Sequence, residues 1–232
     1  MVATLVMSAA FVSPASRGWI SDEPWRLGES SQVPGVMPGG CVEPPRRPSQ
    51  VGCYLSATEP IEKLPGEPLY WHLYTYPTRT GAEGAKSEGA STVAESLDKV
   101  WVFTIANAQW RPAAGERVAA VGPLPVPRAE RYVARYMEAT FPPNQVLLTT
   151  VHRHSGPEAW YVLTGAQCLR TPERTMVLRA GEGGVVPPGP PMVLTNIGPE
   201  TRRSLVLVLH DASQPWQTNT NEWRPTSECP PK

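Results

Sequence analysis

His152, His154 and Glu158 stand in the run His152-Arg153-His154-Ser155-Gly156-Pro157-Glu158, a spacing that can hold a transition metal. On a β-strand the two histidines, two residues apart, project from one face. Glu158 returns to them if the chain turns at Ser-Gly-Pro and enters the next strand. Thr150 would share that face, with Val151 and Arg153 pointing away. Two imidazoles and one carboxylate make a borderline N/O donor set suited to Fe(II), Mn(II), Ni(II), Zn(II) or Cu(II), and such a three-ligand face leaves positions open to water, O2 or substrate. The expected cofactor is therefore one divalent metal ion, in a site built for chemistry rather than a sealed structural one. A His-x-His pair by itself is also common as a hydrogen-bonded or partly exposed strand feature, so the pair draws its weight from the residues C-terminal to it.

The chain continues through Trp160-Tyr161 to Gly165, giving H-x-H-x3-E-x6-G. After residues 166 to 180 comes a second block, Gly181-Glu-Gly-Gly-Val-Val-Pro187-Pro-Gly189-Pro-Pro-Met192-Val-Leu-Thr-Asn196. These blocks resemble the two signature motifs of the cupin superfamily, the second usually written G-x5-P-x-G-x2-H-x3-N. Gly181, Pro187, Gly189 and Asn196 fall at its positions, and the resemblance covers about residues 130 to 212. It implies an all-β jelly-roll barrel with ligands at His152, His154 and Glu158. It further implies either a metal-dependent enzyme of oxygenase, lyase or isomerase type acting on a small organic molecule, or a non-catalytic small-ligand binder. Dimeric pairing is implied by the resemblance alone.

Two positions depart from the pattern. Met192 stands where the family carries its second-motif histidine, and Val146 where the first motif opens on glycine. A thioether is a soft, weak ligand that favours copper, whereas a methionine that merely fills the pocket needs no special circumstance. His210, at the end of Leu205-Val-Leu-Val-Leu-His210, is a candidate replacement ligand or else a solvated strand-end histidine. Trp160 shares a parity with Glu158 and Val162, which would set an indole beside the metal as pocket lining or as barrel filling.

The elements that must position these residues are short. The 232 residues include 28 Pro and 19 Gly, about a fifth of the chain, which suits many strands and turns and argues against long helices. Balanced charge, 21 basic against 21 acidic residues, favours neither a nucleic-acid partner nor an acidic membrane. Regular alternation begins near Arg131 and predicts strands around 132–138, 145–153, 160–163, 175–178, 185–186, 192–195 and 204–209. The expected organisation is a cupin domain over 131–212, an N-terminal extension over 16–130 that is α+β or irregular and wraps the barrel, and a tail over 213–232. Within the extension, 16–68 reads as irregular, 69–76 and 99–105 as strands, and 80–88 as a short helix or turn. His72 in the aromatic strand reads as a packed residue.

Residues 1–15 form an apolar run too short to span a bilayer, ending in the small-x-small pattern of a signal peptide, although no Lys or Arg precedes it. Cys41, Cys53, Cys168 and Cys229 allow three pairings. The expected one is Cys41–Cys53, tethering a Pro- and Arg-rich loop, with Cys168–Cys229 pinning the tail. Signal and disulfides together indicate a periplasmic or secreted protein. Four reduced thiols and an uncleaved N-terminus would indicate a cytoplasmic one.

Overall fold

The computed structural model describes residues 41, 44–45, 50–66, 68–87, 90–143, 149–226 and 229. The expected signal segment and Val146 lie outside the described residues. The elements in order are β1 (Gly52–Ile61), β2 (Leu69–Tyr76), α1 (Arg79–Glu83), β3 (Ser91–Ser96), β4 (Lys99–Asn107), β5 (Glu116–Leu124), β6 (Tyr132–Phe141) and β7 (His152–Arg153). Next come β8 (Glu158–Thr164), β9 (Ala166–Arg170), β10 (Thr175–Arg179), β11 (Gly183–Val186), β12 (Val193–Ile197), β13 (Arg202–Asp211) and β14 (Thr218–Asn219).

All strand pairing is antiparallel. A five-stranded sheet in the order β1-β6-β13-β8-β11 forms one wall of the barrel, and β10-β9-β12 with the short pair β14-β7 form the rest. A further sheet, β3-β4-β2-β5, packs on the outer face of the five-stranded one. The central sheet is thus covered on both sides, and period two divides its residues between two cores. On β13, Leu205, Leu207 and Leu209 face the outer sheet, while Val206 and Val208 face the barrel interior. On β8, Ala159 and Tyr161 go outward and Trp160 and Val162 inward; on β6, Ala134 and Tyr136 go outward and Met137, Ala139 and Phe141 inward. A strand buried on both faces has no polar alternation to show, which is why 205–209 reads as one apolar run.

Aromatic contacts bind the outer sheet. Phe103 stacks on Tyr136 at 4.9 Å and meets Trp71 edge-on at 5.6 Å, contacts worth about 0.5–1.5 kcal/mol each beyond area burial. A buried carboxylate adds a polar tie: Glu138 of β6 accepts from Ser96 Oγ at 2.8 Å and from Leu97 N at 2.7 Å. Leu97 and Asp98 both have positive φ, the geometry of a tight two-residue hairpin between β3 and β4.

Two expectations change. The irregular reading of 16–68 fails at its C-terminal end, because Gly52–Ile61 is a strand paired along β6 from Gly52↔Thr140 to Ile61↔Tyr132. Its small and polar residues and Pro60 mask the alternation, and an edge strand tolerates such a proline. The segment expected as an α+β or irregular addition is a four-stranded sheet whose helical content is the five-residue α1. Cys41 is bonded to Cys53 and Cys168 to Cys229, which joins the tail to β9. Among the described residues no helix is long and apolar enough to cross a membrane.

Candidate metal centre

His152 lies on β7, His154 just past its end, and Glu158 opens β8. The turn between them passes hard against the barrel wall. Gly156 packs so closely on β13 that a Cβ there would stand 1.8 Å from the Leu209 carbonyl oxygen, and Leu209 N donates to Pro157 O at 3.1 Å. A side chain at 156 would push the turn off the wall. The second motif closes the other side: Gly189, at φ +102°, donates to His154 O at 3.0 Å. Asn196 anchors β12 by donating from Nδ2 to Pro142 O at 2.8 Å.

The ligand atoms of His152, His154 and Glu158 all lie within 4.8 Å of one another. Each histidine spends its other ring nitrogen on the backbone: His152 Nδ1 on Thr150 O at 2.8 Å and His154 Nδ1 on Trp216 O at 2.7 Å. A carbonyl only accepts, so both Nδ1 atoms carry the proton and both Nε2 atoms present a lone pair, as metal-binding histidines must. His154 Nε2 and Glu158 Oε2 have no hydrogen-bond partner among the described residues. Buried polar atoms left without partners are costly, and a divalent cation would satisfy both. The residues present therefore fit a metal.

Burial dominates the electrostatics. It lowers the His154 pKa to about 3, with His152 adding to the shift, and it lowers His152 as well. Glu158 is pushed up to about 8 by burial, against the opposing pull of the Trp160 indole and the Arg202 guanidinium. The 3.6 Å contact between His154 Nε2 and Glu158 Oε1 is accordingly not an ion pair at neutral pH in the metal-free chain. A bound cation would reverse the balance at Glu158 by favouring the carboxylate.

Met192 is paired with His152 through the backbone, and its side chain is fully buried in the inner core. His210 is buried but falls outside the three-residue cluster, with Nδ1 on Asp211 O at 2.8 Å. Trp160 lines the interior, where the Arg202 guanidinium lies 5.8 Å from its ring and 5.0 Å from that of Phe141. His72 is packed under Trp110 in the outer sheet, well away in the fold, with Nε2 on Asn107 O at 2.8 Å. A separate cavity of about 1430 Å³ opens between the outer and central sheets, lined by Leu55, Tyr76, Ser96, Lys99 and Glu138 among others; none of the three ligand candidates lines it.

Three residues at the site were not singled out by sequence. Arg202 is completely buried inside the barrel and donates to Gln167 Oε1 at 2.5 Å, while its Nε and Nη2 have no partner among the described residues. The signal was its inward parity with Val206 and Val208. Trp216 stacks on His154 at 5.7 Å, and Arg135 sits 4.8 Å from the Trp216 ring. No local pattern announces either contact.

An antiparallel barrel of this strand order, with the side chains of His152, His154 and Glu158 buried and close together, is a cupin-type β-barrel. Solved structures that match part of this chain include a cupin superfamily protein from Desulfitobacterium hafniense DCB-2 (13% identical, 34% of this chain and 68% of that chain covered, TM-score 0.30). Others are the DMSP lyase DddQ from Ruegeria pomeroyi (18%, 38% and 43%, TM-score 0.32) and an oxalate oxidase (20%, 38% and 46%, TM-score 0.32). The alignments span less than half of the lyase and oxidase chains. No protein-family model matches the sequence, and no curated protein does.

Proposed function

We propose that the protein binds one divalent metal through His152, His154 and Glu158 and acts on a small organic molecule inside the barrel, as an oxygenase, lyase or isomerase. The observation that carries this reading is the convergence of three buried ligand groups, two of them imidazoles held in the ligating tautomer by backbone carbonyls. A metal held there would supply Lewis-acid or O2-dependent chemistry at its open positions. The chain's own residues do the rest. The carbonyls of Thr150 and Trp216 orient the two rings, Trp160 walls the site, and the apolar core around Met192 and Val206 excludes water. Arg202 favours an anionic ligand: it remains a cation at neutral pH, its pKa lowered by burial only to about 9, and two of its donors have no partner among the described residues.

A non-catalytic small-ligand binder is the second reading, favoured by how completely the site is covered, with His152, His154 and Glu158 each 5% exposed or less. Elemental analysis of protein purified without added metal, followed by turnover assays on small organic acids under air and under nitrogen, separates the two. A bound metal with no turnover of any acid that binds would favour the binder.

A further inference from the structure

We infer that residues 213 to 222 form the gate of this centre, and that Trp216 is the positioning residue that holds it shut. The inference rests on the metal reading for what passes the gate, but not for the closure itself. The segment lies along residues 151 to 155, the stretch that carries both histidines. Ser155 Oγ donates to Pro215 O at 2.8 Å, Trp216 O accepts from His154 Nδ1, and the Trp216 ring lies nearly parallel to that of His154, at 27°. Beyond it, Thr218 and Asn219 pair with Arg153 and His152, Thr220 N donates to Val151 O at 3.0 Å, and Arg153 pairs with Glu222.

This fastening is thin. β14 has two residues, and Gln214, Pro215, Thr218 and Asn219 are exposed. A unit with so little buried apolar area opens far more readily than the barrel on which it lies. Its one substantial apolar anchor is Trp216, half-buried against the inner core with the Arg135 guanidinium at its face. The bond between Cys168 and Cys229 keeps the lifted segment tethered to β9. Because the carbonyl that orients His154 belongs to the gate, opening it also releases the ring from its ligating tautomer. Closure and ligand geometry are one event.

The test uses the full chain as wild type, Trp216→Ala, Trp216→Phe and Arg135→Gln, with two readouts. One is the rate at which bound metal is lost to excess EDTA. The other, made on metal-free protein, is the rate at which diethyl pyrocarbonate acylates His152 and His154, mapped by peptide mass spectrometry with buried His72 as the internal reference. Trp216→Ala should raise both rates by about tenfold or more, the scale of one lost anchoring contact, and leave His72 unchanged. Trp216→Phe should restore most of the protection, and Arg135→Gln should fall between. Unchanged acylation in Trp216→Ala, or acylation that rises in step at His72, overturns the gate. Faster acylation with unchanged metal loss overturns its control over the metal. If the wild type binds no metal, the metal reading fails and the acylation rates alone decide whether the segment gates the pocket.

Discussion

Met192 and His152 exchange two backbone hydrogen bonds, His152 N to Met192 O at 3.1 Å and Met192 N to His152 O at 2.7 Å. Residues paired in this way raise their side chains on the same face of a sheet, so position 192 stands beside the ligand cluster. A histidine there would reach a metal held by His152. The thioether instead packs into the inner core with Trp160, Val206 and Val208. Met192→Leu should therefore cost under about 1.5 kcal/mol and leave metal content unchanged. Met192→His should tighten Zn(II) or Fe(II) binding in a chelator competition. A selective loss of copper in Met192→Leu would show instead that the sulfur is a ligand.

The pH dependence of the metal-free chain derives from Glu158 and His154. Between about 4.5 and 8 the folded chain holds a proton on Glu158 that the unfolded chain has released, so stability falls as pH rises through that window. Between about 3 and 6.5 the unfolded chain holds a proton that folded His154 refuses, so stability rises with pH there. The two oppose one another where they overlap. Urea midpoints of the metal-free protein should climb from pH 3 to 4.5, change little to 6.5, and drop towards pH 8. Metal requires the carboxylate, so its uptake at pH 7 should release about one proton, read by calorimetry in buffers of differing ionisation enthalpy. No proton release would mean that Glu158 is not a ligand.

Gly156→Ala places a methyl where only 1.8 Å separates the Cβ from a backbone oxygen of β13. Backbone cannot yield as a side chain can. We expect destabilisation of about 1–3 kcal/mol together with weaker metal binding, since the turn carries His154 and Glu158 apart. Full retention of both properties would mean that the turn relaxes freely.

Reduction tests the covalent frame. The bond between Cys168 and Cys229 closes a 61-residue separation and that between Cys41 and Cys53 one of 12, for which chain entropy gives about 4 and 3 kcal/mol as upper values. Protein from its native source should show no free thiols when denatured and should lack roughly its first 15 residues, as after signal removal. Four titratable thiols on an intact N-terminus would place it in a reducing compartment.

Much of this was legible because the information is local. The three ligand candidates fall within seven residues, and the 69–76 strand shows its bounds in a run of aromatic residues interspersed with Leu and Thr. β1 was hidden by polar residues and Pro60, and the packing of β3-β4-β2-β5 on the barrel rests on pairings that no periodicity encodes. His154 and Trp216 lie 62 residues apart, so no spacing rule joins them. Their contact exists only because the tail returns across β7.

We propose that His152, His154 and Glu158 together hold one metal. Metal per chain, measured by inductively coupled plasma mass spectrometry on the folded double variant His152→Ala/His154→Ala, tests it most directly. About one equivalent in the wild type and essentially none in the variant is expected, since a lone carboxylate is a poor ligand set. Stoichiometric metal retained by the variant would contradict the assignment.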